Sequence, residues 1–110
     1  MKRVIYKGDP YQGGWSNAEE MVGDFSESIE VLKGAKVLYA LREYGDYDGW
    51  CFVLFKRDAK LWEVNGSHCS CYGLEEQWDP EETSVEALYQ TNSTVAELLF
   101  GPAKPKRAKK

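Results

Sequence analysis

"AKVLYALREYGDYDGWCFVLFKRDAKLWEVNG", residues 35–66, decides the fold. Within 35–44, Val37, Tyr39 and Leu41 fall on alternate positions, the two-residue period of a strand with one buried face. Residues 45–49, "GDYDG", concentrate the glycine and aspartate of a turn. Residues 50–57, "WCFVLFKR", are apolar at successive positions, which suits a central strand covered on both faces. "DAK" supplies a second tight turn, and "LWEVN" at 61–65 reads as a third strand. Strands joined this closely pair antiparallel, so the stretch predicts a β-meander.

The flanks read as helical with one short exception. "KRVIY" at 2–6 reads as a first strand, followed by the Gly- and Pro-bearing loop "KGDPYQGGW". Residues 17–33 fit one interrupted helix or two short ones. Ser16 or Asn17 is the first cap, with Glu19 and Glu20 in the turn that the helix dipole favours. Ser26 is the second cap, Ile29 and Leu32 lie three apart, and Gly34 is the stop. Residues 83–100 predict two short helices, capped by Thr83 or Ser84 and by Ser93 or Thr94, with Thr83 and Glu86 spaced as a capping box. Their apolar stripes are Val85, Leu88 and Tyr89, then Val95, Leu98 and Leu99. The expected fold is α+β: an antiparallel meander of three to four strands packed against short α-helices, in a single domain over 1–103.

Charge divides the chain unevenly. Five of its 14 basic residues lie in "KPKRAKK", 104–110, which leaves 9 basic against 18 acidic side chains in residues 1–103. An acidic body disfavours a nucleic-acid groove in the domain itself. The tail has no apolar residue larger than alanine and reads as a disordered, solubilising end; its functional alternative is sequence-blind contact with nucleic-acid phosphates. No apolar run approaches the ~20 residues of a membrane span. The N-terminus lacks the apolar stretch of a signal peptide, and three cysteines do not suggest a disulfide scaffold, so a cytoplasmic location is expected. Aromatic residues reach 14 %, enough to serve both core and binding surface.

Asn65 and Gly66 read as the end of the third strand, which makes "SHCSCYGLEEQWDPEE", 67–82, a long loop. Loops of that length are functional or held down by something specific. This one gathers the single histidine, His68, with Cys69 and Cys71. A zinc site would need a fourth ligand; Cys51 is the remaining thiol, and Cys51, His68, Cys69 and Cys71 would form the set. Against it, extended backbone puts Cys69 and Cys71 on one face and His68 on the other. A cysteine nucleophile would have to use His68, with Cys71 or Cys51, and Asp46, Asp48 or Glu75 to orient the ring. C-x-C lacks the spacing of a redox pair. No catalytic residue is assigned and no cofactor is expected, zinc being the one metal the cluster could hold. The bland reading is a packed loop. In it the thiols are buried, Gly73 allows a left-handed or tight conformation, and Leu74 and Trp78 are anchors. The exposed side of such a loop, with His68, Tyr72, Glu75, Glu76 and Trp78, is the candidate binding surface.

"YGDYDGWCFVLF" and "LWEVNGSHCSCYGLEEQWDPEETSVEAL" resemble a group of small, mostly uncharacterised proteins of bacteriophages and prophages. That group shares a G-S-H-C-S-C-Y-G-L-E string, a nearby tryptophan and P-E-E-T before a helix. The resemblance covers residues 44–88. It implies a phage-type accessory protein of the host cytoplasm and carries over no catalytic residue or cofactor. The function expected is non-enzymatic: binding of a host or phage macromolecule, most simply a protein, through an acidic, aromatic-rich surface. The alternatives are a metal- or thiol-dependent enzyme centred on the His-Cys-x-Cys loop, and nucleic-acid binding through the C-terminal tail.

Overall fold

A computed structural model describes residues 4–44, 48–69 and 73–102; the side chains of Tyr44, His68 and Cys69 lie outside that description. The chain falls into two compact units, Asp9–Thr83 and the pair of segments Met1–Gly8 and Ser84–Lys110.

The larger unit carries a five-stranded sheet in the order β1-β2-β3-β4-β5. Its strands are β1 (Tyr11–Gly13), β2 (Lys36–Tyr44), β3 (Asp48–Arg57), β4 (Lys60–Cys69) and β5 (Glu81–Thr83). The meander expected over 35–65 is present as β2, β3 and β4, paired antiparallel throughout. β1 pairs parallel with β2, so the sheet is mixed, and the fold is α+β. Residues 51–55 of β3 are all buried, as a strand covered on both faces requires. Between β3 and β4 the chain reverses through Asp58 and Ala59, both left-handed at φ 56° and 63°. Two left-handed residues make the turn whose twist matches antiparallel strands, although glycine would occupy the second site with less strain.

One face of the sheet forms the core of this unit. Ala40, Cys51, Val53, Phe55 and Val64 pack with Met21 and Val22 of α1 (Ala18–Asp24) and with Trp15, Phe25, Leu32 and Leu74. At about 25 cal/mol per Å² of apolar surface removed from water, such burial is the main force holding α1 to the strands. Asn17 caps α1 by accepting from the Glu20 amide at 2.8 Å. A single 3-10 turn, Ile29–Leu32, follows, and the chain turns out of it at Gly34 with φ 78°.

Several expectations are corrected. Residues 4–6 form no strand, and residues 2–3 lie outside the described ones; the first strand sits instead in the predicted loop, at Tyr11–Gly13. It can approach β2 closely because Gly14 has φ 82° and a Cβ there would meet the Arg42 Cβ at 2.6 Å. The second cap is Ser28, accepting from Glu30, while Ser26 itself is left-handed at φ 60°. β4 does not stop at Asn65 and Gly66 but runs on to Cys69. Gly66 faces Cys51 across the ladder, and a Cβ on it would lie 2.9 Å from the Cys51 Sγ and 3.2 Å from Leu74 Cδ2. The glycine permits close packing rather than ending the strand. Glu81 and Glu82, expected as loop, and Thr83, expected as a candidate helix cap, form the edge strand β5.

The smaller unit holds α2 (Val85–Thr91) and α3 (Ser93–Phe100). Ser84 caps α2 by accepting from Ala87 at 3.0 Å, and Asn92, rather than Ser93 or Thr94, caps α3 by accepting from Val95. The buried stripe of α3 is Val95, Ala96, Leu99 and Phe100, with Leu98 turned outward at 38 % exposure. The Tyr89 hydroxyl donates to the Gly101 carbonyl at 2.6 Å, and the Ile5 amide donates to the Leu99 carbonyl at 2.7 Å. No helix among the described residues is long and apolar enough to cross a membrane. The basic tail, 104–110, lies outside the described residues.

Candidate functional site

Gln77 ties the segment between β4 and β5 back to β4. Gln77 accepts from the Ser67 amide through Oε1 at 2.9 Å and donates through Nε2 to the Ser67 carbonyl at 2.6 Å and the Gly73 carbonyl at 2.9 Å. Its amide therefore offers the acceptor and donor that a facing residue of a neighbouring strand would offer, and it closes the β4 edge beyond β5. Leu74 is buried, and Trp78 lies 5.1 Å from Phe25 edge-on and 6.0 Å from Phe55 in a stacked pair. These two side chains anchor the segment to the core. Among its described residues Glu76 is left-handed, at φ 67°. The Gly73 amide donates to Glu75 at 2.8 Å.

Cys51 lies beneath this clamp, opposite Arg42 on one side and Gly66 on the other. Burial pushes its thiol up to about 11, against the opposing pulls of a hydrogen bond from the Gly66 backbone and the Arg42 charge, with Asp24 adding to the rise. A thiol held protonated in apolar packing is a poor nucleophile and a poor metal ligand. Arg42 is paired with Asp24, whose carboxylate also accepts from the Trp15 indole at 2.7 Å. That pairing holds the C-terminal end of α1 to β2.

His68 and Cys69 are strand residues, paired in backbone register with Gly49 and Asp48. Their side chains, with Ser70, Cys71 and Tyr72 entirely, lie outside the described residues, and so does Asp46. Among the described residues no group of three or more His, Cys, Asp or Glu converges as metal ligands would. Of the expected binding residues, Glu75 and Glu76 are exposed, while Trp78 spends its ring on Phe25 and Phe55.

Among the described residues, an exposed aromatic group of the sheet lies elsewhere. Trp50, near the start of β3, is 48 % exposed. It stands directly opposite Glu43 of β2 and Ser67 of β4, both exposed, and two residues from exposed Asp48. Register and alternation put all four on one face of the sheet. At the other end of the same ladder, Lys36 faces Lys56, and both are exposed. Carboxylates and an open indole occupy one end and ammonium groups the other. Sequence reasoning assigned Trp50 to a strand buried on both faces. The signal that distinguishes it is its place beside Gly49 and Asp48, where the apolar run meets a turn.

A second feature of this unit is an open groove of about 600 Å³ between α1, the 3-10 turn and β2, lined by Tyr11, Ala18, Ile29, Lys33 and Val37. Burial, with the nearby Asp9 and Glu19 charges, raises the Tyr11 phenol above its ordinary range, so it enters the groove as a neutral hydroxyl.

No protein-family model, curated protein or solved structure matches the chain.

Proposed function

We propose that this chain is a phage- or prophage-type accessory protein that works in the host cytoplasm by binding a host or phage protein through the acidic, aromatic end of its sheet. The observation that carries this reading is Trp50, an indole left 48 % exposed between Glu43 and Ser67 and preceded along the strand by Asp48. Tryptophan is among the residues that most often dominate protein interfaces, because its large rigid surface loses little entropy on burial. Carboxylates around it steer a cationic partner and repel nucleic acid. The nine-residue acidic excess of residues 1–103 extends that field over the body of the protein. Glu75 and Glu76, exposed on the clamped segment, add to the same negative charge.

Binding fits the sheet better than chemistry does. Cys51 is buried and protonated, and Trp78 is committed to the core. The test is affinity capture from bacterial lysate with the intact chain and with Trp50→Ala. A stoichiometric partner retained by the parent at moderate salt and lost by the variant supports the reading. Equal recovery by both removes it.

A further inference from the structure

The Trp50 surface also specifies the kind of group it takes. We infer that Trp50, Glu43 and Asp48 form a platform for an arginine side chain presented by a partner protein; this rests on the binding surface proposed above and names its ligand. Trp50 and Glu43 are direct cross-strand partners, which sets their Cβ atoms about 5 Å apart. Asp48 lies two residues along the same strand, about 6.6 Å away. A cation centred over the indole face, within about 6 Å of the ring, therefore has one carboxylate beside it across the ladder and a second along the strand.

Arginine fits that arrangement better than lysine. Its guanidinium is flat, so it can lie on the indole while its N–H edges point outward to the flanking carboxylates. An ammonium is a strongly hydrated point charge that must give up water to approach the ring, and it cannot pair edge-on. The sheet already uses the contact on its own side chains: the Arg57 guanidinium carbon sits 5.1 Å from the Phe55 ring centre and 5.8 Å from that of Trp62.

Two observations make a cation the complement of this patch. The β2–β3 ladder keeps Lys36 and Lys56 at its far end. The one described cation near Trp50 in register, Arg42, lies on the opposite face and is paired with Asp24. Among the described residues, no basic side chain shares the face with Trp50 at its end of the ladder. The platform is also held in shape, because Ser67, opposite Trp50, has its backbone N–H and C=O clamped by Gln77 on the far side.

The experiment is an NMR titration of the full chain, following the Trp50 indole N–H and the Glu43 and Asp48 amides. The probes are two blocked hexapeptides, alternating Gly-Arg and alternating Gly-Lys. The expected result is saturable shifts at these three residues, with the arginine peptide binding at least threefold tighter. Glu43→Gln weakens it about threefold and Trp50→Ala about three- to fivefold, while Trp50→Phe retains part of the affinity. Equal affinity for the two peptides, or shifts centred away from Trp50, overturns the arginine assignment. If the lysate partner still requires Trp50 in that case, the binding surface stands and only its ligand class falls. If neither requires Trp50, both fall.

Discussion

Gln77→Ala is the substitution whose consequence follows most directly from the geometry. Three hydrogen bonds disappear together, one from the Ser67 N–H, one to the Ser67 carbonyl and one to the Gly73 carbonyl. A typical intramolecular hydrogen bond contributes about 0.5–1.5 kcal/mol net. Ser67 is exposed, so water recovers part of that loss. The clamp also positions Leu74 and Trp78, whose burial then weakens. Together these place the cost at about 1–3 kcal/mol. For a chain of this length each kcal/mol corresponds to roughly 4 °C in melting temperature, so the midpoint falls by about 4–12 °C. Urea unfolding followed by tryptophan fluorescence gives the free energy, and hydrogen exchange at the Ser67 amide reports the clamp itself. That amide loses at least tenfold protection, since its acceptor is gone. Gln77→Glu separates geometry from donor capacity. The carboxylate still accepts from Ser67 but cannot donate to either carbonyl, and its charge lies against them, so it destabilises at least as much. If both variants unfold within about 0.5 kcal/mol of the parent with Ser67 exchange unchanged, the clamp does not hold the segment.

Gly66→Ala forces a methyl to within 2.9 Å of the Cys51 Sγ and 3.2 Å of Leu74, and should cost about 1–3 kcal/mol by denaturant titration; a neutral result would show that this packing yields. Ala59→Gly relieves a left-handed alanine in the β3–β4 turn and should stabilise by up to about 1 kcal/mol in the same assay, with destabilisation as the contrary outcome. The Cys51 thiol is raised from about 9 to about 11, so its contribution is complete below pH 9 and is lost as the pH climbs towards 11. The sign follows because the unfolded chain gives up the proton first. Stability should decline by about 2–3 kcal/mol across that window. Cys51→Ala should abolish this thiol-linked part of the decline; an identical pH profile in the variant would refute the assignment.

The meander was legible because two strand-length runs, 35–44 and 50–57, are bounded by turn residues, but the single face read from alternation was not kept: a register shift between Val37 and Tyr39 sets Val37 opposite Phe55 and sets Tyr39 and Leu41 opposite Leu54 and Phe52, on the other face. β1 and β5 were illegible for a physical reason. Each has three residues, too few for a period, and each exists through pairing with a neighbour. Tertiary packing also reversed the reading of Gly66, which looks like a strand breaker locally and is a contact residue against Cys51 in space. The cap at Asn92 was missed because Ser93 and Thr94 are equally good caps by residue type, and only the start of α3 decides among them. Of the site, the acidic and aromatic character was visible in composition. Its location was not, since the exposure of Trp50 depends on where β2 and β4 place Glu43 and Ser67 beside it. Gln77 carries no signal in the sequence. A glutamine that imitates a strand is recognisable only once Ser67 lies across from it.

The central claim is that the Trp50 end of the sheet is the binding surface. It is tested most directly by calorimetric titration of the captured partner into the parent chain, Trp50→Ala and Glu43→Gln, with the melting temperature of each measured alongside. Binding should weaken at least tenfold for Trp50→Ala and by a smaller factor for Glu43→Gln, with both variants still fully folded at the titration temperature, Trp50 being half-exposed and Glu43 exposed. Equal affinity across the three proteins would contradict it.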